Sequence, residues 1–150
     1  MKNDPQPDTC PSPACTGTSG DFRYLYRRQP CGGCPWRVDR PGAFPPAAFR
    51  RLASTAYDMS RVSFVCHETS EAAPLVCAGF LLRGAAHHLA VRLHIAHGEV
   101  DPAALHDGGH ELHGSFRDMA VANEVDPDDP ALAACRDGMD RPRRSPRPGV

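Results

Sequence analysis

The chain has 150 residues, room for one domain with tails but cramped for two. Apolar residues make up 41% and charged residues 23%, near the globular norm, which excludes disorder throughout; sixteen prolines and thirteen glycines exceed that norm and call for loops and irregular ends. The formal charge of -1 gives no overall bias toward nucleic acid, and no run approaches the roughly 18 apolar residues of a membrane helix, so a soluble, cytoplasmic protein without a membrane partner is expected.

Residues 1–21 set Pro5, Pro7, Pro11 and Pro13 among Ser, Thr, Gly and Asp, too few bulky apolar side chains to offset the entropy of ordering, and read as a disordered leader. The domain proper is expected over residues 22–136. Phe22, Tyr24 and Tyr26 alternate with Arg23, Leu25 and Arg27, the period of a short strand. From Pro46 to Tyr57, the spacing of Phe49, Leu52, Ala53 and Ala56 predicts a helix opened by proline. Val62 to Cys66, rich in β-branched and aromatic residues, reads as a buried strand ending at a cysteine. The longest predicted helix runs from Pro74 to about His97, with Gly98 just past its end. Gly79 and Gly84 inside it each cost about 1 kcal/mol relative to alanine, and they mark a break or a close backbone contact. Gly108-Gly109 interrupts any helix from Pro102, and a fresh helix is expected over Leu112 to Asn123 with Phe116, Met119 and Ala120 inward. Asp129-Pro130 starts a last helical turn, with Asp129 as cap, and residues 137–150 mix proline with arginine as a disordered basic tail.

Seven cysteines, an odd number, in a chain without a secretory signal argue against a disulfide framework and for metal or redox chemistry. Cys31-Gly-Gly-Cys34 can grip one metal from a tight turn, because glycine lets backbone N–H groups approach the sulfurs. A tetrahedral site needs two further ligands. Cys66, at a strand end, and Cys77, at a helix start where the dipole favours thiolate, supply them. The expected metal set is therefore Cys31, Cys34, Cys66 and Cys77. His67 is a substitute ligand, but neighbours on a strand diverge, so Cys66 and His67 are not expected to ligate together. Four thiolates suit Zn²⁺ and also an iron-sulfur cluster, with Zn²⁺ first because structural zinc is the commoner outcome for an intracellular CxxC. A dithiol oxidoreductase is the third reading, and would place the CxxC at the start of a helix. Cys10 and Cys15 read as free thiols of the leader, and Cys135 as packed or exposed.

The fold class that follows is α+β: a small single domain with few short strands and three to four helices, pinned by a Cys-rich metal site. His106, His110 and His113 have helical spacing, but the paired glycines between them deny a common face. Asp126, Asp128 and Asp129 read as turn and cap residues. No nucleophile, phosphate-loop or dinucleotide motif is present, so a binding or regulatory module is expected more than an enzyme. Sixteen of the seventeen basic side chains are arginine, a usage that fits GC-rich coding. In the tail, Arg141, Arg143, Arg144 and Arg147 offer at most weak, salt-sensitive contact with nucleic acid; the other expected partner is an unidentified protein.

Taken together, CGGCPWR (31–37), FVCH (64–67), CAGFLLRGAAHH (77–88), VRL (91–93) and FRDMAVAN (116–123) resemble a family of small uncharacterised actinobacterial and actinophage proteins. That resemblance implies a GC-rich bacterial or phage source and a cysteine-bearing domain, and no activity. It also sets asparagine as the residue expected in relatives where this chain has His88.

Overall fold

The structure, a computed structural model, describes residues 24–136. The predicted leader and tail, with Cys10, Cys15, Arg141, Arg143, Arg144 and Arg147, lie outside the described residues. Helix α1 (Pro46–Leu52) starts on its proline as expected, buries Phe49, and tightens into a 3-10 turn over Ala53–Ala56. Helix α3 (Phe116–Ala122) buries Phe116, Met119 and Ala120 as predicted, but starts four residues later than expected. Gly114 breaks the run, and the Ser115 side chain accepts the Asp118 N–H to cap the helix. Short 3-10 turns follow Asp101 and Asp129, each capped by that aspartate. Asp126 likewise accepts the Asp128 N–H, the turn role read from sequence.

Two expectations need correction. The predicted helix from Pro74 to His97 is two separate pieces. Leu75–Cys77 is extended, a helical turn begins at Ala78 and passes into a π-helix over Phe80–Gly84, and α2 (Leu89–Ala96) starts afresh. The cause is visible at both ends of the break. Trp36 lies against Gly79 and Gly84 so closely that a Cβ on either would sit 2.5 Å and 2.6 Å from the indole side chain, which widens the turn. His88 then caps α2, its ring nitrogen Nδ1 accepting the Val91 N–H at 3.3 Å.

Nor do the predicted strands become regular strands among the described residues. Both meet at Val76, which bridges Tyr26 in parallel and Val65 antiparallel. Val76 N–H donates to the Leu25 carbonyl at 2.9 Å and Arg27 N–H to the Val76 carbonyl at 2.9 Å. On the other edge, Cys66 N–H donates to Leu75 and Cys77 N–H to Phe64, each at 2.8 Å. Because Pro74 precedes this extended run and the helical turn follows it, the ladder has room for one rung on each side. The small single domain is thus helical with bridges, and its core is an aromatic cluster around the fully buried Trp36, with Phe64 and Phe116 packed edge-on at 5.9 and 6.3 Å.

Candidate metal centre

The four predicted cysteines enter one locus from three directions. Cys31 and Cys34 flank a turn closed by the Cys34 N–H donating to the Cys31 carbonyl at 3.2 Å. Cys66 and Cys77 leave the Val76 ladder on either side of its last rung. All four are 4% exposed or less. Cys34 Sγ is 3.6 Å from Cys77 Sγ, while Cys31 Sγ and Cys66 Sγ lie within 4.8 Å of each other in a group that includes neither Cys34 nor Cys77. The Cys34–Cys77 separation is far beyond the roughly 2.05 Å of a disulfide and close to the ~3.8 Å edge of a tetrahedron with Zn–S bonds of about 2.3 Å.

The backbone around two of these sulfurs is arranged alike. The amides two and three residues onward, of Trp36 and Arg37 for Cys34 and of Gly79 and Phe80 for Cys77, favour the charged form of each sulfur, while the Arg37 N–H donates to the Cys34 carbonyl at 3.1 Å. Such donors stabilise thiolate charge. The Cys77 thiol, the backbone amides and the Cys31 thiol hold Cys34 down to about 7, against its burial. Its neighbour moves the other way: the hydrogen bond to Cys34 and burial push Cys77 up. Burial, followed by the nearness of Cys66 and Cys34, pushes Cys31 up to about 12. Closely packed thiols without a cation cannot all ionise, because each thiolate raises its neighbours.

His67 corrects the expectation from strand alternation. The extended run ends at Val65, and Cys66 already opens a turn whose carbonyl accepts the Thr69 N–H at 3.2 Å and the Thr69 hydroxyl at 2.7 Å. Alternation therefore does not apply. The donor atoms of Cys31, Cys66 and His67 all lie within 4.8 Å of one another, with His67 Nδ1 3.9 Å from Cys31 Sγ. His67 is exposed where the cysteines are buried.

Three supports of the turn were not legible in the sequence. Arg37, nearly buried, donates to both Asp39 oxygens at 2.8 and 2.7 Å and to the Gly32 carbonyl at 3.2 Å, bringing positive charge toward Cys34 and Cys31. That guanidinium holds the Asp39 carboxyl down to about 2. Glu68 accepts the Gly33 N–H at 3.3 Å. Beyond the turn, Val38 N–H donates to Glu111 and His113 N–H to the Trp36 carbonyl, tying its exit to the segment before α3. The CxxC leads into this pairing rather than into a helix, since α1 begins only at Pro46.

The remaining candidates stand apart. Cys135 packs by the 3-10 turn after α1, its thiol donating to the Ala53 carbonyl. His88 donates to the Val62 carbonyl at 2.9 Å as well as capping α2, and His94 stacks on Tyr24 at 3.8 Å and pairs with Glu99. Among the described residues, Cys31, Cys66 and His67 are the one compact Cys/His/carboxylate group, so His106, His110 and His113 do not form another. No helix among the described residues is long and apolar enough to cross a membrane.

No curated protein and no solved structure matches the chain. A family model does: the match covers residues 26–136, from just before the CxxC turn to Cys135 and its neighbour, and on that extent the chain belongs to the Family of unknown function (DUF6283).

Proposed function

We propose that the protein is an intracellular metal-binding module in which one zinc ion, held by Cys31, Cys34, Cys66 and Cys77, fixes the CxxC turn, the Cys66 turn and the start of the π-helical segment to one another. The metal is structural, and the surface it organises serves binding or regulation. What carries this reading is the contact of Cys34 with Cys77 at 3.6 Å, each favoured as thiolate by the amides two and three residues onward, beside a second buried pair, Cys31 and Cys66, within 4.8 Å of each other. Packing alone requires neither the amide pairs nor the convergence, whereas thiolate ligation uses both. None of the five described cysteines is in a disulfide, which suits a reducing compartment.

A second reading, an iron-sulfur redox or sensor centre, draws support from the apolar shell: Trp36, Phe64 and Phe80 are 1% exposed or less and lie beside the sulfur-bearing segments. Metal analysis and a visible spectrum of protein purified without oxygen separate the two, repeated with Cys66→Ser and Cys77→Ser. About one zinc per chain and no colour, lost in either variant, supports the structural zinc site. Brown protein containing iron and sulfide selects the second reading. A folded, metal-free wild-type protein refutes both and leaves the Cys31–Cys34 dithiol as the chemistry to test.

A further inference from the structure

Cys31, Cys66 and His67 form one close donor group and Cys34 and Cys77 a contacting pair, five candidate ligands where a closed tetrahedral site uses four. They differ in access. The four cysteines are 4% exposed or less, and His67 lies at the surface with its Nδ1 3.9 Å from Cys31 Sγ. A hydrated ion coming from solvent therefore meets the imidazole before it meets a sulfur. The ring is also held for that encounter: Phe44 packs edge-on against it at 5.1 Å, and a Cβ at Gly33 would come within 3.2 Å of His67 Nε2, so glycine leaves the ring its place. The group formed by Cys31, Cys66 and His67, all within 4.8 Å, comprises the surface donor and two of the buried ones, while Cys34 and Cys77 contact each other outside that group.

Resting on the zinc reading above, the geometry points to His67 as the docking ligand of the site, the residue through which a divalent metal ion enters and leaves. The incoming Zn²⁺ exchanges coordinated water for His67, Cys31 and Cys66, then gives up His67 and its last water for Cys34 and Cys77. Each thiol that binds releases its proton to solvent, and the loaded site keeps four sulfurs. Departure follows the reverse path.

A docking ligand has a kinetic signature that neither a resident ligand nor a packing residue shares. It lowers the barrier in both directions, so removing it slows uptake and release together and leaves the affinity unchanged. The test uses zinc-loaded full-length protein, wild type, His67→Ala and His67→Gln; glutamine keeps polarity and approximate size without an imidazole. Exchange of bound zinc for isotopically enriched zinc gives the release rate, and competition with a chromophoric chelator gives the affinity. Release is expected to slow by roughly tenfold in both variants, of the order by which a partner at a metal site is felt, with affinity and thermal midpoint unchanged. Faster release with weaker affinity would make His67 a resident ligand, and unchanged release would make it a bystander; either overturns the inference while the zinc site stands. A wild-type protein that takes up no zinc overturns the zinc reading and this inference with it.

Discussion

Replacing Gly79 with alanine tests the link between the aromatic core and the sulfur site. The new Cβ would lie 2.5 Å from Trp36 Cβ and 2.8 Å from Cγ, against an ordinary carbon–carbon contact of about 3.5–4.0 Å, an overlap of at least about 1 Å. Trp36 cannot yield by rotating, because its Cβ is fixed to the backbone and its indole is fully buried, with Gly84 against the far edge. The relief must come from the backbone of one segment or the other. Overpacking of this kind costs about 1–3 kcal/mol, while the helix preference of alanine over glycine returns about 1 kcal/mol. Because the clash is with a Cβ fixed to the backbone, the upper part of that range, about 2–3 kcal/mol, applies, and net destabilisation of about 1–2 kcal/mol is expected. The Gly79 amide also favours the charged form of Cys77, so the same shift should loosen the metal. Urea denaturation of metal-loaded wild type and Gly79→Ala, with zinc content read at each step, checks both effects. A Gly79→Ala protein as stable as wild type, or stabilised by the propensity gain, would refute the claim that Trp36 is wedged against this turn.

Arg37→Ala removes the bidentate pair with Asp39 and the bond to Gly32, and zinc affinity measured by chelator competition should weaken by about tenfold as the turn loses its support. His88→Leu strips partners from the part-buried Val62 carbonyl and the buried Val91 N–H and should lower unfolding free energy by about 2 kcal/mol in urea, whereas His88→Asn, which keeps the cap, should cost less. Burial, opposed by the Val62 carbonyl, holds His88 below its ordinary 6.5. Below that pH the unfolded chain binds a proton the folded chain resists, so stability should fall as pH drops from 7 toward 5 through about 6.5. Urea midpoints across that range should fall more steeply for wild type than for His88→Asn; parallel curves would contradict the burial argument.

Local chemistry was legible in the sequence, and elements with a strong local signal came out close to expectation. Pro46 opens α1, Asp129 caps its turn, and Phe116, Met119 and Ala120 face inward. Ligand chemistry asks for a complete set and so groups the four cysteines; the structure pairs Cys34 with Cys77 and sets Cys31 and Cys66 beside His67. What failed was whatever depended on distant partners. The helix pattern from Pro74 to His97 is continuous in the sequence, and only the indole of Trp36, more than forty positions upstream, explains why it breaks; the two glycines marked the place without supplying the cause. The strands lacked length because three segments share the single residue Val76. Strand alternation parts His67 from Cys66 only while the strand lasts, and the Cys66 turn ends it one residue too early. Arg37 and Glu68 support the CxxC turn through contacts that no spacing rule announces.

The sulfur set at the heart of the account is read most directly by zinc K-edge X-ray absorption on the metal-loaded full-length protein. The predicted shell is four sulfur atoms at about 2.3 Å with no imidazole nitrogen. A shell in which nitrogen or oxygen replaces one or more sulfurs, or a protein that binds no zinc at all, would contradict it.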